Sequence, residues 1–257
     1  KNIYMCTLLI LLRSDHKWPL IIAGNRDEML DRKWEKPFCH WPKYPSIIAG
    51  KDLLGGGTWF GINKYGMVAT VLNRTNSIGP SQNKNTRGVL PLKILKHDNI
   101  RSAIDEISSI NCKDWKSFNL FFGDNKNAYW AKNTGKNKIM ISKINKGKHF
   151  LDSYDLDSFR SPKLKYNYKD FCESKDPDPS IDDWTSWKKI LTNKRHPEGI
   201  PLAAINISKK NNKGYGTSSS SIIAIPSDKE KYNNNSKPIF LFNSGPPEKN
   251  NFYSITT

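Results

Sequence analysis

Residues 20–32 read LIIAGNRDEMLDR, so an apolar run ends in four consecutive hydrogen-bonding side chains, NRDE at residues 25–28. A strand that leaves the core ordinarily ends in Gly, Pro or a turn-forming Asn or Asp. Here a single glycine, Gly24, separates the apolar run from the four polar residues. We therefore expect a buried strand over residues 20–23, whose end brings the polar tetrapeptide to the surface beside a site rather than into bulk water.

The surrounding sequence predicts alternating blocks of strands and helices. The polar turn between the apolar residues 5–12 and 20–23 predicts two antiparallel neighbours. Further strands are expected at 58–62 and 67–72 (a hairpin), 118–123, 128–132, 139–144, 202–207, 217–225 and 239–242, and helices within 87–110, 162–172 and 181–191. This order predicts an α+β fold, with two stacked sheets between helical layers in a single domain over residues 1–257.

The chain of 257 residues has a net charge of +17, which would attract a polyanion. Its positive charges are mostly lysines scattered among polar residues, whereas proteins that bind phosphates favour arginine. The sequence contains no helix with a basic stripe, no zinc-finger spacing and no aromatic RNA-binding signature. The scatter is typical of a compositional bias, and we expect no nucleic-acid partner.

The four cysteines fall at irregular spacings without a CxxC motif, which predicts free thiols in a reducing compartment. The five histidines have no metal-ligand spacing, and we expect neither a metal nor a cofactor. No apolar run approaches the roughly 18–20 residues that span a membrane. Arg13 and Asp15 interrupt the first apolar stretch, which predicts a strand rather than a signal peptide. We therefore expect a cytoplasmic protein with no membrane span.

Cys6 is a candidate nucleophile because it lies near the N-terminus. A thiol needs a base or a positive field to form a thiolate at neutral pH. If Met5 were the initiator, its removal would leave Cys6 with a free α-amino group, whose reference pKa of about 7.7 to 8.0 allows it to accept the thiol proton. On the residues alone, however, a lone cysteine in a strand is more often a small buried side chain.

Eight segments, in order along nearly the whole chain, carry a family resemblance. They are MCTLLILL (5–12), PLIIAGNRDEMLDR (19–32), LLGGGTWFGINKYGMVATVLNR (53–74), TRGVLPLKIL (86–95), FNLFFGD (118–124), DLDSFRSPKL (155–164), GTSSSSIIAIP (216–226) and FNSGPP (242–247). The sequence resembles the NRDE family, also called transport and Golgi organisation protein 2-like, which is similar to the Cys-type N-terminal-nucleophile hydrolases. The resemblance implies a four-layer αββα sandwich of two stacked, mainly antiparallel sheets.

The resemblance also implies catalytic residues. In Cys-type members such as the choloylglycine hydrolases, the nucleophile opens the first strand and an Arg-Asn-x-Asp sequence closes the second. Cys6 matches the nucleophile, and Asn25 and Asp27 match the Asn and Asp. The Arg has no match, because Gly24 occupies its position and Arg26 lies between the two matching residues.

Asn73, at the end of the predicted hairpin, is implied to bind the oxyanion, although a turn residue at a strand end is the structural alternative. An amide N–H that points at the developing oxyanion lowers the activation free energy by about 3 to 4 kcal/mol. The implied mechanism has the Cys6 sulfur attack an amide or thioester carbonyl. The α-amino group shuttles the proton, and Asp27 orients the amine or holds positive charge near the thiolate.

Arg26, Thr58 and Trp59 are predicted to contact the substrate, while a structural ion pair is an equal alternative for Arg26 and for Glu28. The aromatic cluster that follows NRDE, at residues 34–44, is either a lid over a pocket or a packed Pro-rich loop.

The residues KNIYM precede Cys6, and an acylated amine cannot act as the base. Either translation starts at Met5, or a leader is cleaved, or the chain is not an amidohydrolase. The alternative function is a non-catalytic pocket protein that binds or traffics haem, lipid or acyl-CoA, roles linked to eukaryotic relatives. Both functions predict a small acyl, amide, lipid or haem ligand as the partner.

Overall fold

The structure is a computed structural model that describes residues 6–75, 77, 81, 83–136, 138–208 and 214–257. Its strands are β1 (Thr7–Leu12), β2 (Leu20–Met29), β3 (Trp34–Phe38), β4 (Ile47–Asp52), β5 (Phe60–Asn63), β6 (Val68–Asn73), β7 (Phe118–Gly123), β8 (Ala128–Asn133), β9 (Met140–Lys143), β10 (Gly147–Leu151), β11 (Tyr215–Ile225), β12 (Ile239–Asn243) and β13 (Tyr253–Ile255). Its α-helices are α1 (Val89–Leu95), α2 (Ile100–Ser109), α3 (Pro162–Glu173), α4 (Thr185–Leu191) and α5 (Asp228–Asn234).

Two antiparallel sheets form the centre of the fold. The first has the strand order β10-β1-β2-β11-β12-β13, and the second has the order β3-β4-β5-β6-β7-β8-β9. The predicted antiparallel neighbours β1 and β2 pair from Thr7 opposite Asn25 to Leu12 opposite Leu20. The predicted hairpin is β5 and β6, which pair from Phe60 opposite Thr70 to Ile62 opposite Val68.

The two sheets are stacked, and helices cover their outer faces. Leu8, Ile22 and Phe121 belong to a buried cluster between the sheets. On the outer face of the first sheet, Ile21 belongs to a second cluster with Trp187 of α4 and other residues of α3 and α4. Residues of α1 and α2 pack in the same way on the second sheet. The expected four-layer αββα sandwich is confirmed.

Strand β2 is longer than the sequence indicated. It continues through NRDE to Met29, because β11 pairs with its whole length, from Ile225 opposite Leu20 to Tyr215 opposite Met29. Asn25, Arg26 and Asp27 are therefore buried, with 2%, 5% and 4% of their surface exposed. The expected strand end after residue 23 is wrong because backbone pairing, which the polarity of the side chains does not reveal, holds these residues in the sheet.

Other segments also differ from the predictions. Residues 202–207 are not a strand: Pro201–Ala203 forms a 3₁₀ turn and the rest is irregular. The start of the aromatic cluster is edge strand β3, a position where Pro37 is tolerated because no neighbour requires its missing N–H. The residues KNIYM lie outside the described part of the chain.

Two further findings apply to the described residues alone. None of the helices that the structure describes is both long and apolar enough to cross a membrane. Within the same residues, no group of three or more His, Cys, Asp or Glu side chains is arranged to hold a metal ion.

Candidate active site

Cys6 immediately precedes β1 and lies half-buried in the wall of a pocket. The backbone N–H of Asp27 donates to the Cys6 sulfur, and the thiol donates to the backbone oxygen of Asp27, both over 3.4 Å. Burial raises the pKa of the Cys6 thiol to about 12, and the negative charge of Asp27 adds to the effect. With this pKa the thiol is neutral at physiological pH.

The pocket has a volume of about 470 Å³ and is lined by both charged and apolar side chains. It lies beside the second half of β2 and the end of β6, and it is also lined by residues just before α1. Its charged side chains are Arg26, Asp27, Glu28, Arg32, Asp52, Lys84, Arg87 and Lys116, and its large apolar ones are Met29, Leu54, Trp59 and Val71.

The Asp27 carboxylate forms an ion pair with a buried lysine that the sequence analysis did not identify. Lys163, on α3, is fully buried, and its Nζ lies 3.2 Å from Asp27 Oδ2 and 2.9 Å from the Thr7 hydroxyl. Thr217 donates to the other carboxylate oxygen over 2.6 Å. Burial raises the pKa of Asp27 to about 6, although Lys163 and Thr217 act in the opposite direction. The sole sequence signal for Lys163 was its place in the family-like segment 155–164.

The side chain of Asn25 connects strands to the helical layer. Its Nδ2 donates to the backbone oxygens of Leu191 and Ile205 over 2.9 and 3.0 Å, and its Oδ1 accepts from the Ser220 hydroxyl over 2.6 Å. These three bonds occupy both ends of the amide. Asn25 therefore lies close to Cys6 in the fold, while its side chain is bound to α4, the 205 segment and β11.

The side chain of Arg26 packs inside the pocket. Its guanidinium carbon lies 4.5 Å from the centre of the Trp59 ring, a cation–π arrangement. One Nη donates to the Ser218 hydroxyl over 3.1 Å, and the other lies 3.9 Å from the Glu28 carboxylate. Burial lowers the pKa of Arg26, and the charge of Glu28 opposes that shift. Arg26 thus lines the pocket and also lies near the Glu28 carboxylate.

Gly24 stands where the hydrolase pattern has its arginine, and the structure leaves no space for a side chain there. A Cβ at Gly24 would lie 2.8 Å from the backbone oxygen of Thr7, which real Cβ atoms essentially never do, so the strand has no room for a side chain there. Alternate residues of a strand point to the same face. Arg26 is the next residue on that face, and a small cavity of about 20 Å³ lies beside Cys6, Gly24 and Arg26.

Asn73 and Thr58 line the same pocket as Cys6. Asn73 ends β6, is half-buried, and its side chain forms no hydrogen bond to the residues that the structure describes. Thr58 is buried, and its backbone N–H donates to the oxygen of Gly88 over 2.8 Å. The structure therefore brings together Cys6, Asp27 and Asn73 with the three predicted substrate contacts.

A basic region of the pocket was missed by the sequence analysis. Arg87 donates from Nη1 to the Ser77 oxygen, the Ser77 hydroxyl and the Ser117 oxygen, over 2.7 to 3.1 Å. Burial lowers the pKa of Arg87 to about 10, so it stays charged at neutral pH. Burial also lowers the pKa of Lys116, and the charge of Arg87 adds to that shift. Arg87 was within the family-like TRG segment, but only tertiary contacts show that it faces the pocket.

The two antiparallel sheets between helical layers, with a cysteine just before the first strand, define an N-terminal-nucleophile hydrolase-like fold. Penicillin V acylase from Agrobacterium tumefaciens is structurally similar, with a TM-score of 0.57 over 98% of this chain and 86% of the acylase. The two are 14% identical, so this similarity shows the fold alone. The chain itself belongs to the Transport and Golgi organisation 2 family, whose model matches residues 5–234.

Two curated relatives are similar in sequence. The uncharacterized protein YGR127W of Saccharomyces cerevisiae is 32% identical over 127 residues, which are 46% of this chain and 36% of the yeast protein. The Transport and Golgi organization protein 2 homolog of Bos taurus is 35% identical over 78 residues, which are 29% of this chain and 27% of the bovine protein. The matched region thus spans about a third or less of these relatives' length.

Proposed function

We propose that this protein hydrolyses an amide or a related acyl bond, with Cys6 as the nucleophile. The observation that carries the proposal is the position of the Cys6 sulfur, in the wall of a 470 Å³ pocket that Asn73 also lines. The name of the structurally similar penicillin V acylase fits acyl chemistry on this fold. The proposal requires that Cys6 carry a free α-amino group, because the thiol is otherwise kept neutral by its surroundings.

In the proposed reaction the Cys6 sulfur forms a bond to the acyl carbon as its proton moves to the α-amino group. The negative charge develops on the carbonyl oxygen, where the Nδ2 of Asn73 donates a hydrogen bond. The tetrahedral intermediate then breaks the C–N bond, and the leaving amine takes the proton. Water attacks the thioester in the second half-reaction, which releases a carboxylic acid and restores the thiol.

Asp27 has a positioning role in this proposal. Its backbone N–H and C=O hold the Cys6 sulfur, and its carboxylate is fixed by Lys163 and Thr217. An α-ammonium group on Cys6 would bring a positive charge toward a carboxylate that is already held in place. Asn25, bound to α4 and β11, positions β2 rather than contacting the substrate.

The test begins with the N-terminus of protein made in its own host, by intact-mass and N-terminal sequencing. The protein is then treated with a thiol-directed acyl electrophile and assayed against a panel of fluorogenic N-acyl amides. We expect a chain that begins at Cys6, an acyl adduct on Cys6, and loss of hydrolysis in Cys6→Ala. Cys172→Ala is the matched control, because this exposed thiol lies outside the pocket lining. Retention of KNIYM with an inert Cys6 would falsify the mechanism.

A second candidate is a non-catalytic pocket that binds or carries haem, a lipid or an acyl-CoA. The raised pKa of Cys6 favours it, because a neutral thiol is a poor nucleophile. The apolar Met29, Leu54, Trp59 and Val71 supply contacts for an acyl chain or a macrocycle. Titration of haem and of an acyl-CoA, followed by tryptophan quenching, tests this candidate. Flat titrations with both ligands would count against it.

We also propose a cytoplasmic location. The four cysteines are free, as a reducing compartment would keep them. Fluorescence microscopy of the tagged full chain in its host tests this, and signal confined to a membrane-bounded secretory compartment would contradict it.

A further inference from the structure

We infer that the pocket selects acyl compounds that carry an anionic oxygen group, and that Arg87 binds that group. This inference rests on the proposed function for the identity of the reacting bond. The anionic group is inferred separately, from the charged side chains that line the pocket. The shared chemistry is a carboxylate or a phosphate, either of which an arginine binds through two parallel N–H donors.

The first observation is the hydrogen bonding of Arg87. All three of its hydrogen bonds leave from Nη1 and end on Ser77 and Ser117, which are neutral groups. Its Nε and Nη2 donate to none of the residues that the structure describes. No carboxylate among those residues lies within ion-pair distance of Arg87, in contrast to Arg32. Among the described residues the guanidinium is thus fixed at one corner, and its other donors are available to a ligand.

The second observation is that the acidic groups of the pocket are already paired. Asp52 accepts from Arg32 through both carboxylate oxygens, at 2.5 to 3.2 Å. Glu28 lies 3.8 Å from Arg32 and 3.9 Å from Arg26. Five cationic and three acidic residues line the pocket, and the carboxylate of the third acidic residue, Asp27, is bound by Lys163 from α3. The positive charge of Arg87 is therefore in excess.

The third observation places Arg87 in the electrostatic field of the nucleophile. Burial lowers the pKa of Arg87 to about 10, and the charge of Glu28 and a negative charge on Cys6 oppose that shift. Arg87 is partly buried, where a charge is screened less than at the surface. Met29 and the exposed Leu54 lie in the same lining and offer apolar contacts to an acyl chain. The matching ligand has an apolar acyl part, a carbonyl near Cys6 and an anion at Arg87.

The test compares three ligands with the same acyl chain. They are N-dodecanoylethanolamine, which is neutral, N-dodecanoylglycine, which carries a carboxylate, and the phosphate ester of the first. Binding is measured by calorimetry with Cys6→Ala full-chain protein, so that hydrolysis cannot contribute. One charge-assisted, two-point contact predicts about tenfold tighter binding of at least one anionic ligand than of the neutral one. The preference should shrink as salt is raised, and the better anionic ligand identifies the group.

Arg87→Gln, in the same Cys6→Ala background, should remove most of the preference, so that the ratio of anionic to neutral affinity falls to about one. Arg101→Gln is the matched control, because it removes the same charge from the exposed face of α2. This variant should keep the full preference for the anionic ligand. Thermal melting checks that both variants fold. If Arg87→Gln does not fold, the ligand comparison and its salt dependence in the parent protein decide the question alone.

The outcomes separate the two proposals. Equal affinity for neutral and anionic ligands, or a preference that survives Arg87→Gln, overturns the anion inference even if wild-type protein hydrolyses the amides. A preference that depends on Arg87, without hydrolysis by wild-type protein bearing a free Cys6, supports the inference and contradicts the proposed function.

Discussion

The two faces of β2 beyond Gly24 differ in how their polar side chains are satisfied. On the helix-facing side, every polar side-chain atom of Asn25 and Asp27 is bound, by partners from α3, α4, β11 and the segment at Ile205. On the pocket-facing side, Arg26 and Glu28 lie 3.9 Å apart and line a cavity. One tetrapeptide therefore supplies both a rigid frame and part of the pocket wall. Changes on the first face should act on stability, and changes on the second should act on the ligand.

The largest expected effect is on the buried face. Lys163→Met leaves the Asp27 carboxylate buried without its cation, and breaking a buried ion pair costs about 3 to 5 kcal/mol. Urea unfolding followed by circular dichroism measures the loss. Pairing the change with Asp27→Asn removes the orphaned charge and should recover most of the stability. A double variant as unstable as Lys163→Met would show that packing of Lys163, and not the ion pair, is responsible.

Two asparagines provide the sharpest test of the comparison. Asn73→Ala, on the pocket, should lower the rate of amide hydrolysis about 10² to 10³-fold if it binds the oxyanion, with stability changed by less than about 0.5 kcal/mol. Asn25→Ala, on the buried face, should instead lose about 1 to 3 kcal/mol because two carbonyls and one hydroxyl lose their partner. Steady-state kinetics and urea unfolding distinguish them. If instead Asn73→Ala lost stability and Asn25→Ala lost activity, the assignment of the two faces would be wrong.

The pKa of Asp27 gives the buried face a pH dependence. Its folded-state pKa of about 6 lies above the ordinary value of 3.8, so the folded state holds the proton more tightly than the unfolded state. The resulting stabilisation is complete below about pH 4 and is lost as the pH rises through 6. From pH 4 to pH 7, wild type should lose up to about 3 kcal/mol relative to Asp27→Asn.

Measuring both proteins at each pH is necessary because other carboxylates titrate in the opposite direction. Glu106, for example, has its pKa lowered to about 2, where the hydrogen bonds and charges of Lys93 and Lys96 outweigh burial. A constant difference between wild type and Asp27→Asn across this range would mean that Lys163 keeps Asp27 ionised throughout.

A further effect is expected at the boundary of the two faces, where stability and the site change together. Gly24→Ala forces a Cβ against the Thr7 backbone oxygen, and overpacking of this kind costs about 1 to 3 kcal/mol. It should also displace the chain beside Cys6 and slow acylation by the electrophile. Gly199→Ala is the control: it strains a positive φ of 72° with no atom within 4 Å, and it should leave acylation unchanged. If Cys6 were acylated at the same rate in both variants, Gly24 would have no influence on the site.

Much of the fold was predictable because its signals are local. Short apolar runs bounded by turns indicated β1, β6, β7 and β11, and a period of three to four residues indicated α1 and α2. The missed strands, such as β4 and β10, lack a clear alternation or carry charged residues, and they become strands because a neighbour satisfies their backbone. The strand predicted over residues 202–207 is wrong for the opposite reason. These residues are mostly apolar and pack in the core, but no strand that the structure describes pairs with their backbone.

The sequence by itself determined the family, the two stacked sheets and the candidates Cys6, Asp27 and Asn73, because these depend on short motifs and hydrophobic periodicity. The tertiary structure alone decided what each polar residue touches. It kept NRDE inside a strand, bound Asp27 to Lys163 across 136 positions of the chain, and brought Arg87 to the pocket of Cys6. The physical reason is that burial and charge pairing depend on neighbours distant in sequence, which no local pattern specifies.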